Sequence, residues 1–179
     1  MTYEQIAEFH GHKCPGLAIG YRMATAAMAQ LASIRSEDEE LVAIVENDAC
    51  GVDALQCVTG CTFGKGNLLF RDYGKQVYTV YCRTSRQGVR VHFHGKYAPE
   101  GVRDDRAAFA DWILSEPEDK MLSLAPVEID EPQPARIHQS VTCAICGERA
   151  METRITEVDG KPLCIPCARG KAGQSGAVR

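Results

Sequence analysis

The segment LVAIVENDACGVD, residues 41–53, joins a predicted strand to a predicted helix and is the most informative stretch for the fold class. Its first part, Leu41–Val45, is a continuous apolar run of strand length, which is typical of a strand buried on both faces. After Cys50, apolar positions recur at helical spacing as far as Gly60, a residue type that often ends helices. The polar residues between the two elements therefore follow the carboxyl end of a buried strand, where ligand-binding groups are common.

Capping signals and hydrophobic periodicity predict further helices on both sides of this segment. Thr2 and Gln5 form a capping box that starts a helix running from Tyr3 to about Phe9. A second helix is predicted from Pro15 or Gly16 to about Ile34, because its apolar residues form one stripe.

The second half of the core alternates between strand and helix patterns. Residues 76–83 and 88–94 alternate with period two around a polar turn, which predicts a hairpin. A helix is predicted over 104–114, followed after Pro117 by a short helix that reaches about Leu124. These elements together indicate an α+β core in which helices pack on a mixed or antiparallel sheet.

Three prolines, Pro126, Pro132 and Pro134, lie among acidic residues and indicate a stiff linker. We therefore predict a core domain over 1–134 and a separate small zinc ribbon over 135–170. The small polar residues 171–179 are predicted to form a flexible tail.

Composition limits the class of protein. The chain has 179 residues, of which 45 % are hydrophobic and 25 % charged, a globular profile. No apolar run is long enough to span a membrane and the first residues do not resemble an export signal, so we expect a cytoplasmic protein without membrane contact. In a reducing compartment, nine cysteines indicate metal or thiol chemistry. Residues 136–179 carry seven basic and four acidic groups, a weak form of a nucleic-acid signal.

The C-terminal cysteines have the spacing of a structural zinc site. Cys143 and Cys146 form one pair, and Cys164 and Cys167 form a second pair after seventeen intervening residues. The residues between the pairs predict a hairpin that turns at Asp159-Gly160. Four protein ligands leave no open coordination position, so this zinc is expected to be structural.

A second group of possible metal ligands lies in HGHKCPG, residues 10–16. Cys14 precedes a predicted helix, whose N-terminus stabilises a thiolate, so this cysteine is a candidate metal ligand or nucleophile. We hypothesise that His12, Cys14 and Cys61 bind a second zinc or another transition metal, with Cys50 or His10 as further candidates. The alternative is a capping loop with hydrogen-bonded histidines and a buried cysteine.

The other cysteines and histidines have simpler interpretations. Cys57 and Cys82 are expected in the core, and His92 and His94 on the polar side of the hairpin. The glycine-rich loop over 60–67 contains Lys65 and could hold an anionic group.

Three blocks of the sequence resemble the E subunit of formylmethanofuran dehydrogenase (FmdE): residues 10–16, ENDACGVD over 46–53 and TGCTFGKGNL over 59–68. The resemblance spans about residues 3–95, and the four-cysteine module is similar to the zinc ribbon that many members carry. The positions of the family motif fall on His10, His12, Cys14, Cys50, Asp53, Cys61 and Lys65. Of these, Asp53 and Lys65 are the candidate substrate-binding residues.

The resemblance implies an α+β core, a homodimer and an association with molybdenum or tungsten formylmethanofuran dehydrogenase in one-carbon metabolism. The first functional hypothesis is therefore an accessory or oxidoreductase-associated metalloprotein whose core cluster binds a metal or a substrate. The second is a regulatory or adaptor protein whose zinc ribbon binds another protein or nucleic acid.

Overall fold

The computed structural model describes residues 1–33 and 35–170, which form five α-helices and nine strands. The predicted helix end at Ile34 and the predicted tail over 171–179 lie outside the described residues. The helices are α1 (Tyr3–His10), α2 (Pro15–Gln30), α3 (Gly51–Thr59), α4 (Arg106–Ser115) and α5 (Ile165–Ala168). The strands are β1 (Leu41–Val45), β2 (Leu68–Phe70), β3 (Val77–Cys82), β4 (Gln87–Phe93), β5 (Leu122–Val127), β6 (Ser140–Thr142), β7 (Arg149–Met151), β8 (Ile155–Val158) and β9 (Lys161–Cys164).

The chain divides into two units, Met1–Ala135 and the residues from 136 onward. In the first unit, five strands form one sheet in the order β2-β1-β3-β4-β5. Strand β1 is parallel to β2, and the other neighbouring pairs are antiparallel. This mixed sheet with its packed helices confirms the predicted α+β class.

Helix α2 organises the core of this unit, since it contacts α3, α4, β3 and β4. Nine of its sixteen residues are buried, most of them alanine, glycine or methionine. The side chains of Leu17 and Met23 are fully buried, as are Val80 and Val89 on the sheet. Small residues on α2 allow close approach of its neighbours.

Caps account for the helix boundaries that the sequence predicted. Thr2 and Gln5 form the expected capping box at α1, and Gly60 ends α3 in the left-handed conformation at φ 76°. Pro15 occupies the start of α2, where its missing N–H costs no hydrogen bond.

The prediction failed at the end of the core. The short helix expected after Pro117 is a 3₁₀ helix that spans only Glu118–Lys120. The residues near Leu124 belong instead to the strand β5, which pairs antiparallel with β4. Pro126 therefore lies in this strand and not in the linker. Proline is tolerated there because β5 is an edge strand and needs fewer backbone donors. Strand β2, only three residues long, was not predicted.

Arg22 joins α2 to the C-terminus of α4. Its guanidinium donates hydrogen bonds of 2.8 to 2.9 Å to the carbonyl oxygens of Ile113, Leu114 and Glu116. These carbonyls carry the negative end of the helix dipole and have no intrahelical partner.

We expect Arg22→Met to lower the free energy of unfolding by about 2–3 kcal/mol, because hydrogen bonds to a charged donor are among the stronger ones. Urea denaturation monitored by Trp112 fluorescence measures this effect. The exposed Arg71→Met variant is the control and should unfold at the wild-type midpoint; equal midpoints for all three proteins would contradict the prediction.

Among residues 1–33 and 35–170, no helix combines the length and the apolar character needed to cross a bilayer.

Candidate metal centres

Four potential metal ligands meet where α1, α2 and α3 begin or end. They are His10, His12, Cys14 and Cys50, and one ligand atom from each lies within 4.8 Å of the others. Two imidazole nitrogens and two thiol sulfurs form a donor set that suits zinc, which binds both types tetrahedrally. The residues present therefore fit a transition metal of borderline softness.

Local backbone geometry places the first three of these residues. Helix α1 ends at His10, and Gly11 follows in the left-handed conformation at φ 95°. The chain then turns back, and Cys14 caps α2 with its sulfur accepting a hydrogen bond from the Leu17 N–H at 3.4 Å. The Cys14 sulfur therefore lies at the N-terminus of α2, the positive end of the helix dipole.

Cys50 reaches the cluster from the turn between β1 and α3 and is the N-terminal flanking residue of α3. It lies close to α2, since a Cβ added at Gly16 would be 3.2 Å from the Cys50 Cβ and 3.9 Å from its sulfur. The same added atom would be 4.0 Å from the Cys14 sulfur. Burial and the neighbouring Cys14 thiol raise the pKa of Cys50, as expected when two thiols share a site without a cation.

Asp53 orients His10 in this cluster. The Asp53 Oδ2 lies 2.6 Å from the His10 Nδ1, so the opposite ring nitrogen faces the Cys14 sulfur at 4.0 Å. A carboxylate bonded to the non-ligating nitrogen fixes the tautomer and orientation of a metal-binding histidine. The His10 side chain is only 10 % exposed, against 39 % for that of Asp53. We predicted Asp53 to be a substrate-binding residue. In the structure its carboxylate instead bonds to His10, one of the four potential metal ligands.

Cys61 is not part of this cluster, although the sequence-based hypothesis grouped it with His12 and Cys14. It follows Gly60 at the opposite end of α3 from Cys50, and a nine-residue helix is about 13 Å long. Cys61 is fully buried, and this burial raises its pKa to about 11. The structure instead brings in both His10 and Cys50, which the hypothesis named as further candidates.

The other candidate residues lie apart from the cluster. The Lys65 amine donates a 3.1 Å hydrogen bond to the carbonyl of Glu37, and Cys57 and Cys82 are buried, as predicted. His94 accepts a hydrogen bond from the Lys96 N–H. No metal-ligand group within residues 1–33 and 35–170 includes His92 or His94.

The second unit contains the four-cysteine cluster that the spacing predicted. Ligand atoms of Cys143, Cys146, Cys164 and Cys167 lie within 4.8 Å of one another. Hydrogen bonds from the backbone N–H groups of Cys146 and Cys164 lower the pKa of Cys143 to about 6. Such N–H···S bonds stabilise thiolates, the form that binds zinc.

Short hairpins support this cluster. Strands β8 and β9 pair around Asp159 and Gly160, which both have positive φ, as the Asp-Gly turn predicted. Apart from three of the cysteines, Leu163 is the only residue in the buried cluster of the described ribbon. Partly buried Ala150, Ile155 and Ala168 pack against this cluster, so the apolar core of residues 136–170 is small.

We expect Asp53→Asn to weaken metal binding at the core cluster about tenfold, because the histidine loses a charged partner. Chelator competition measures the affinity, and the four-cysteine site in the same chain should remain unchanged. Asp48→Asn, an exposed carboxyl change in the β1–α3 turn, is the control. Equal losses of metal affinity in the two variants would mean that Asp53 acts only through the net negative charge near the site and not through its bond to His10.

Comparisons with known proteins find a match for each of the two units. Residues 9–123 match the FmdE family, which is described as "FmdE, Molybdenum formylmethanofuran dehydrogenase operon". Residues 138–171 match the family of the prokaryotic dksA/traR C4-type zinc finger. The zinc-finger match and the four thiols indicate zinc in the ribbon.

Two relatives illustrate these similarities. A "probable S-adenosyl-L-methionine-binding protein" of Archaeoglobus fulgidus is 33 % identical over 90 % of this chain, which spans about half (50 %) of that relative's length. A second relative, from Syntrophus aciditrophicus, has a crystal structure and is described as similar to the E subunit (FmdE) of tungsten formylmethanofuran dehydrogenase. Its TM-score to this chain is 0.72 at 27 % identity, covering 96 % of this chain and 95 % of that one. With most of its core matched by the family, followed by a C4-type zinc finger, the chain belongs to the FmdE family.

Proposed function

We propose that this chain is an accessory metalloprotein of molybdenum or tungsten formylmethanofuran dehydrogenase systems, and that its core cluster binds one zinc ion in addition to the ribbon zinc. The observation that carries the proposal is the convergence of His10, His12, Cys14 and Cys50, with Asp53 holding His10. The similarity to the Syntrophus aciditrophicus protein, whose name refers to the tungsten enzyme, supports the association.

The charges of the cluster favour a divalent cation. Two thiolates neutralise a zinc ion, and the neutral imidazoles complete a tetrahedral shell. Without a cation, two neighbouring thiolates and the Asp53 carboxylate would repel one another. A bound ion would therefore stabilise the arrangement in which α1, α2 and α3 meet.

Metal analysis of the full chain tests the core site. We expect about two zinc ions per wild-type chain and about one in the Cys14→Ser variant, since each thiolate supplies one bond of a tetrahedral shell. The matched control is Cys61→Ser, a buried cysteine outside the cluster, which should keep both ions. A wild-type chain that binds a single ion, retained in Cys14→Ser, would refute the core site.

The accessory role needs a separate experiment. We expect the purified full chain to co-sediment with a molybdenum or tungsten formylmethanofuran dehydrogenase. In the absence of the enzyme, we expect the chain to sediment as a homodimer. The Cys14→Ser variant shows whether this binding requires the core ion. A chain that sediments apart from the enzyme but binds nucleic acid with strong salt dependence would instead support an adaptor role.

A further inference from the structure

The four side chains of the core cluster differ in how firmly the protein holds them. His10 is bonded to Asp53, and Cys14 is 3 % exposed and accepts a hydrogen bond from the backbone of α2. Cys50 is exposed and makes no capping hydrogen bond, but its backbone is fixed at the start of α3, close to Gly16. Each of these three residues is therefore anchored by a helix terminus or by a charged partner.

His12 has no comparable anchor. It lies in the loop between α1 and α2, and its side chain is exposed. Within the described part of the chain, its ring has no hydrogen-bond partner, and it contacts the His10 ring at 4.6 Å between centroids. A ligand without an orienting partner gains less affinity for the metal than one that has it.

Displacing His12 would leave three protein ligands, His10, Cys14 and Cys50. Two thiolates and one imidazole with a fourth position open are a ligand set that zinc uses in catalytic sites, whereas a closed set of four is typical of structural sites. The exposure of His12 places this fourth position on the solvent side of the cluster.

The charges of the site select the kind of incoming donor. The ion and two thiolates are together neutral, and Asp53 adds a negative charge beside His10. The Asp53 carboxylate would repel an anionic donor, whereas it would not repel an uncharged nitrogen donor. Nitrogen also matches the preference of zinc in a mixed sulfur and nitrogen shell.

We infer that His12 is the exchangeable ligand of the core site and that its position accepts an uncharged nitrogen donor from solution. This inference rests on the proposed core metal site and adds that the site is open to a small ligand. His10, by contrast, is a permanent ligand.

Cadmium-113 NMR of the full chain tests the inference, because each bound cadmium ion gives its own resonance and the ribbon resonance is an internal reference. We expect His12→Ala to keep the core resonance, with a loss of zinc affinity of no more than about tenfold. Adding imidazole should shift the core resonance of this variant, whereas azide at the same concentration should not. His10→Ala is the matched variant and should lose the core resonance.

Each failure has its own signature. Loss of the core resonance in His12→Ala, or a core resonance that imidazole leaves unmoved, would overturn the exchangeable position. A larger response to azide than to imidazole would overturn the choice of an uncharged donor. A wild-type chain with the ribbon resonance alone would instead refute the core metal site, so the two proposals fail separately. Hydrogen-exchange protection in His12→Ala that equals that of the wild-type chain confirms that the variant is folded.

Discussion

Replacing Cys164 with serine is expected to unfold the zinc ribbon while the first unit keeps its structure. The buried cluster of the ribbon consists of Cys143, Cys164 and Cys167 together with Leu163, so there is little apolar surface to replace the ion. Structural zinc contributes on the order of 10 kcal/mol to the folding of such small units. Loss of one of four ligands should therefore remove most of the stability of β6–β9.

Hydrogen exchange measured by mass spectrometry resolves this effect along the chain. Amides over 140–168 should lose protection in Cys164→Ser, and those of β1, β3 and α2 should keep it. Cys82→Ser is the control, because Cys82 is a buried cysteine that belongs to neither cluster. A ribbon that stays protected after substitution or after zinc removal would show that it folds without the ion.

Replacing Gly20 with alanine is expected to destabilise the first unit and to damage its metal site. A Cβ at Gly20 would lie 2.1 Å from the carbonyl oxygen of Gly51 and 2.3 Å from its Cα. These atoms belong to the backbone of α3 and have no rotamer to change, so α2 and α3 would have to separate. Overpacking of this kind costs about 3 kcal/mol or more.

The same displacement should weaken the core metal site, because Gly51 is next to Cys50, while His10 ends α1 and Cys14 caps α2. Urea denaturation and chelator competition measure the two effects on one variant. Gly64→Ala is the matched control, because an added Cβ there meets no atom within 4 Å. If Gly20→Ala retained wild-type stability and metal affinity, the close contact of α2 and α3 would not be needed to assemble the site.

Local signals in the sequence predicted much of the fold. The capping box at Thr2, the apolar run over 41–45 and the glycine at the end of α3 all produced the expected elements. Strand β5 was missed because a six-residue segment with one proline carries little periodicity of its own. Its pairing with β4 decides its conformation, and that contact is not local in sequence.

The ribbon cluster could be predicted from cysteine spacing alone, because two residues separate the cysteines of each pair and a predictable hairpin joins the pairs. The composition of the core cluster, by contrast, depends on how the helices pack. Asp53 meets His10 across 43 positions of the chain, and Cys50 replaces Cys61 because it lies beside Gly16, near the start of α2 and Cys14. Short spacing restricts where side chains can meet, whereas ligands far apart in sequence converge only when helix packing brings their backbones together.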